Sequence, residues 1–142
     1  VRKTRAGIGP KLLIAVIVVG VAWLVLQERR EQARIDRLAA LSPCRLAAQY
    51  VEWRLAFEER YPGAEIPESG AGEFLRENEV FEQAVRKARE QSASRVLAAL
   101  ERLTAIDSAS WIRERGDLAP FVEVMLAECP GEVEGLVRGP GR

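Results

Sequence analysis

The chain has no histidine in its 142 residues. That removes the commonest general base, the usual serine-hydrolase triad and most zinc sites. Cysteine is nearly as scarce: Cys44 and Cys129 stand 85 positions apart and make no metal clip by themselves. No glycine-rich phosphate loop occurs, because Gly70 and Gly72 lack both the lysine and a preceding strand. No segment alternates apolar and polar residues over five or more positions, so strands are not expected. No internal repeat is visible. No acid precedes Glu28, and beyond it Lys87 is the one lysine among 16 arginines, which reads as coding bias.

What is present bounds the fold. The length allows one domain plus an anchor, and 48% hydrophobic with 30% charged residues fits a folded chain. The formal charge of zero is unevenly placed. Arg2, Lys3, Arg5 and Lys11 lie before an apolar run, and all 21 acids follow it. The remaining 17 basic residues leave the polar part about four charges negative. A mildly acidic domain has no electrostatic footprint for nucleic acid, whose binding runs on phosphate neutralisation. No nucleic-acid partner is expected.

The apolar run, Leu12 to Leu26, reads LLIAVIVVGVAWLVL, and the uncharged stretch extends to Gln27. Sixteen residues at about 1.5 Å each give roughly 24 Å, a little short of a hydrocarbon core of about 30 Å. Ala6 to Pro10 can extend it, with Lys11 reaching back to the headgroups and Trp23 near the opposite interface. A cleaved export signal is the rival, with Gly20-Val21-Ala22 as its small-residue site. Against it, the apolar Trp23 to Leu26 would follow the cut, and charges come straight after. A buried core helix is disfavoured because the run has no polar face. We therefore expect a retained single-pass anchor at 12–27, preceded by a basic segment, 1–11, with the lipid bilayer as its first partner.

Orientation is close to a draw by the count of basic residues, since Arg29, Arg30, Arg34 and Arg37 flank the other side. The short basic start resembles an export signal and favours a cytoplasmic N-terminus. In a bacterium this places the rest in the periplasm, on the outer side of the inner membrane. Cys44 and Cys129 fall at the two ends of the polar domain, and a disulfide between them would persist only in an oxidising compartment. Two buried free thiols are the plain alternative.

The polar part reads as helices throughout, giving an all-α chain: one transmembrane helix and a small irregular bundle. Residues 28–41 read as a charged helical stalk, with Glu31 and Arg34 one turn apart. Ser42-Pro43 breaks it and caps a new helix to about Arg60. There Cys44, Ala47, Ala48, Val51 and Leu55 form one apolar stripe and Leu46, Tyr50, Trp53, Phe57 and Tyr61 another, together too wide for a single buried face. Pro62 to Gly72 reads as a loop. A long helical region from about Glu73 to Ala105 carries Phe74, Phe81, Val85, Ala88, Val96, Ala99, Leu100 and Leu103, with a weak point at Ser92-Ala93-Ser94. Strict heptads from Phe74 would include Asn78, Ser92, Arg95 and Arg102, so the seam is that of a bundle and not a two-stranded coiled coil. Asp107-Ser108 looks like the cap of a short helix with Trp111 and Ile112, ended by Gly116. Asp117 then caps a final helix through Phe121, Val124, Met125 and Leu126, closed by Pro130-Gly131. The domain thus spans 42–130, and 131–142 reads as a frayed tail.

Glutamates cluster at Glu58-Glu59 and at Glu73, Glu77, Glu79 and Glu82. A helical glutamate serves as the acid in glycosidases, and an exported domain could meet cell wall. Such runs are more often a solvated helix face. Lys87 with Ser92 or Ser94 shares no helical face. We expect no enzyme, no cofactor and no metal. The aromatic residues Tyr50, Trp53, Phe57 and Tyr61 are the candidate interface, since large aromatics dominate contact hot spots, although a helical aromatic stripe more often faces a core. The expected function is a membrane-anchored interaction module, an accessory subunit or scaffold of an envelope complex with a protein partner. A phage lysis or tethered immunity factor, and a cell-wall hydrolase, are the alternatives.

Overall fold

The computed structural model describes residues 2–61, 68–105 and 119–138. Among these residues six helices follow in chain order: α1 (Arg2–Ala39), α2 (Pro43–Arg60), α3 (Glu68–Gln91), α4 (Arg95–Thr104), α5 (Ala119–Glu128) and α6 (Pro130–Arg138). Among the described residues there is no strand, and the fold is all-α. The chain divides into two units, Val1–Arg34 and Ile35–Arg142.

The first unit is α1 up to Arg34. One helix carries the basic start, the apolar run and the charges after it, with Pro10 inside it. Every side chain from Leu12 to Leu26 is exposed. The helix is long and apolar enough to cross a membrane.

The second unit is a bundle whose helix ends are set by local chemistry. Ser42 is extended, at φ −60° and ψ 151°, and its side chain accepts from the Arg45 N–H, with Pro43 at the first helical position of α2. At the other end the Tyr61 N–H reaches the Phe57 and Glu58 carbonyls. The weak point at 92–94 is a full break between α3 and α4. Ser94 turns to φ −146° and ψ 134°, and its hydroxyl accepts from the Leu97 N–H, so α4 has its own cap.

Each helix then buries one face. α3 contributes Phe74, Val80, Phe81, Ala84, Val85 and Ala88, and α4 contributes Val96, Leu97, Leu100 and Leu103. Burying each large side chain contributes about 1.5–3 kcal/mol before chain entropy is counted. α4 packs against α2, α3 and α5, and α6 against α2 and α5. The last turns of α1 also belong here: Ile35, Leu38 and Ala39 are buried, so residues 28–41 are not all solvated stalk. Asp36 on that turn pairs with Lys87 on α3. Lys87 and Asp36 are both substantially exposed, so the pair contributes little.

Two boundaries differ from expectation. Glu68 to Gly72 begin α3 instead of ending a loop. Pro67 precedes this start, and a proline there stops no helix that begins after it. Pro130-Gly131 opens α6 instead of closing the fold. Proline suits a first helical position, and the ladder passes through the junction: Cys129 N–H bonds to Met125 O at 2.7 Å and Val133 N–H to Cys129 O at 3.2 Å. Residues 131–138, expected as part of a frayed tail over 131–142, are helical, and Val133 packs on the core. The expected helix of Trp111 and Ile112 and the Asp117 cap lie outside the described residues.

Candidate functional site

The aromatic residues sit where α2 meets α3. The two stripes expected on α2 resolve into one buried face of Leu46, Ala47, Tyr50, Val51, Arg54 and Phe57. These residues recur every three or four positions, which one helix face requires. Leu55 falls off that face and is exposed. Among the four interface candidates, Tyr50 and Phe57 are buried within the bundle, while Trp53 and Tyr61 stay half-buried. Tyr50 and Phe57 are therefore core residues of the domain. Trp53 and Tyr61 are the two with surface left for a partner.

The rings are in mutual contact. Trp53 stacks on Phe74 at 5.4 Å between centroids and on Phe81 at 5.6 Å. Phe57 lies 5.3 Å from Phe74 and 4.9 Å from Tyr61, and Tyr50 meets Phe81 edge-on at 5.2 Å. These separations lie in the range where ring quadrupoles attract. At the outer end Arg60 lies over Phe57 and Tyr61 and bridges to Glu73 at 2.7 Å.

Three polar groups inside this core were not singled out as core from sequence. Arg54 is 2% exposed, with its guanidinium 4.4 Å from the Phe74 ring centre. Asn78 and Thr104 are buried as well. The Tyr50 hydroxyl donates to Asn78 Oδ1 at 2.7 Å, and Asn78 Nδ2 donates to the Thr104 carbonyl at 2.7 Å. The chain of bonds links α2 to α3 and α3 to the end of α4. Burial pushes the Tyr50 hydroxyl up to about 12, against the pull of the Arg54 charge. Burial likewise lowers the Arg54 guanidinium to about 10, with Tyr50 and Glu58 opposing. The available signal for Arg54 was its place three residues after Val51 and three before Phe57. Asn78 shares the heptad line of Phe74 and Phe81.

The second feature is the cysteine pair. Cys44 is in the first turn of α2 and Cys129 at the junction of α5 and α6, with Cα atoms 5.6 Å apart and sulfurs at bonding distance. Cys129 is 1% exposed and Cys44 is half-buried. A Glu132 carboxylate oxygen lies within 4.8 Å of both sulfurs. Three such ligand atoms could hold a metal only with the sulfurs apart and deprotonated, and the positive ends of α2 and α6 disfavour a cation there.

Of the glutamates expected as a solvated face, Glu59 and Glu79 are exposed and Glu73, Glu77 and Glu82 partly so, whereas Glu58 is half-buried with its Oε2 buried. Glu73 pairs with Arg60, Glu82 with Arg86 at 2.5 Å, and Glu79 accepts from Gln83 at 3.3 Å. Comparison with protein-family models, with curated proteins and with solved structures finds no match to this chain.

Proposed function

We propose that this chain is a membrane-anchored helical interaction module, an accessory subunit or scaffold of an envelope complex. In this reading α1 crosses a bacterial inner membrane with its N-terminus in the cytoplasm, and the bundle works outside. The observation that carries it is the run from Leu12 to Leu26, whose apolar side chains are all exposed. Fifteen consecutive apolar residues left in water would cost far more than a small domain's stability, so a bilayer is the natural solvent. The cysteine pair supports the outer side, because a bond between them lasts where no thiol pool reduces it.

Binding is favoured over catalysis by how the domain uses its polar groups. Tyr50, Asn78 and Thr104 bond to one another across the core, and Glu73, Glu79 and Glu82 to surface neighbours. Trp53 meanwhile keeps a partly exposed indole on a rigid aromatic platform, and such residues carry contact energy well. Purification of the full chain in mild detergent tests the reading. A stoichiometric membrane protein should co-purify, and Trp53→Ala should release it while the domain stays folded. A chain that purifies alone from native membranes contradicts the scaffold reading.

A further inference from the structure

We propose that Cys44 is the sulfur through which an external thiol–disulfide oxidoreductase makes and breaks the Cys44–Cys129 bond. This rests on the extracytoplasmic reading above. The two cysteines differ in exposure: Cys129 is 1% exposed at the α5–α6 junction, whereas Cys44 is half-buried in the first turn of α2. Exchange requires the attacking sulfur to line up with the sulfur it displaces, so the reachable sulfur is the one attacked. The backbone fixes this asymmetry. Pro43 holds Cys44 at a helix start beside the exposed Ser42, while Cys129 N–H and C=O are both tied into the α5–α6 ladder.

In the forming direction the Cys44 thiolate attacks the enzyme's disulfide and one enzyme thiolate leaves. The Cys129 thiol then loses its proton to solvent, attacks Cys44 Sγ and expels the second enzyme thiolate. The bond formed is Cys44–Cys129, and two electrons end on the enzyme's dithiol. Reduction runs the same path backwards, with Cys129 as the first leaving group. Glu132, close to both sulfurs, repels any thiolate that approaches and slows both directions.

The probe is reduced glutathione acting on the full oxidised chain in detergent, with acid quenching and mapping of the mixed disulfide. At least ten times more glutathione should be found on Cys44 than on Cys129. Glu132→Gln should speed the reaction about threefold at low salt, with the difference shrinking at high salt. In Cys129→Ser chains oxidised glutathione should cap Cys44 at least tenfold faster than it caps Cys129 in Cys44→Ser chains. Equal capping, or glutathione mainly on Cys129 in the wild-type chain, overturns the assignment while leaving the compartment reading intact. Free thiols at both positions in freshly isolated membranes overturn the assignment and the compartment reading together.

Discussion

The Tyr50 hydroxyl donates to Asn78 Oδ1 at 2.7 Å, inside the core and between α2 and α3. Removing that hydroxyl leaves a buried acceptor, so Tyr50→Phe should cost about 1–3 kcal/mol although it removes one atom. Asn78→Ala also loses the bond to Thr104 O and should cost at least as much. A double-mutant cycle from thermal unfolding of the full chain in detergent checks the link. A coupling of about 0.5 kcal/mol or more is expected, and additive losses would show that the bond contributes nothing.

Arg54 is a core polar group of another kind. Its guanidinium lies among rings and loses hydration, the largest cause of its lowered pKa, while Tyr50 and Glu58 favour its charge. Arg54→Met keeps the length but takes that charge away from Glu58, whose Oε2 is buried, and should lower the melting temperature. The alkaline limb separates the two neighbours. Tyr50 holds its proton to about pH 12 in the folded chain, so its contribution is lost as pH rises from about 10 to 12. Arg54 is lowered to about 10, so the unfolded chain binds more protons above that and stability rises there. Tyr50→Phe should therefore flatten or reverse the alkaline fall in stability, and Arg54→Met should steepen it. Identical slopes in the two variants would refute the assignment.

Phe57 and Trp53 should behave differently on truncation. Phe57 is 3% exposed between Phe74 and Tyr61, so Phe57→Ala should cost about 3–5 kcal/mol and threaten a marginal fold. Trp53 is half-buried, and Trp53→Ala should cost less in stability and more in partner capture. Circular dichroism melts beside a detergent pull-down measure both. A folded Phe57→Ala chain that has lost its partner would place that ring at an interface instead.

The long apolar first helix, the all-helical class and most core positions were legible because periodicity and capping act locally. Ser42-Pro43 is an example, since the cap, the proline and the residue before it all favour one boundary. The same local rules misjudged Pro130, because a proline that closes one helix is also suited to open the next. Only the pull of the core on Val133 decides between the two. Arg54 was hidden for a related reason: a charge on an apolar stripe reads as the edge of that stripe. Its burial depends on Phe74, twenty positions away and on another helix. The cysteine pair was visible as two end positions, but which sulfur is reachable depends on packing that sequence does not display.

The disulfide should contribute strongly to stability. Closing a loop of 85 residues corresponds to about 4.6 kcal/mol of lost unfolded-state entropy, less any strain. Cys44→Ser/Cys129→Ser should lower the melting temperature, and reductant should lower that of the wild-type chain by a similar amount. No change on either treatment would mean that the α2 and α5–α6 contacts already hold those ends together.

The most direct test of the central claim is alkaline phosphatase fused after Arg142 and expressed in a bacterial host. An anchored chain with its bundle outside predicts an active phosphatase that stays in the membrane pellet through carbonate washing, on a chain that still contains Leu12 to Leu26. An inactive fusion in the pellet would reverse the orientation, and an active fusion released as a soluble chain without that run would make α1 a cleaved signal and contradict the anchor.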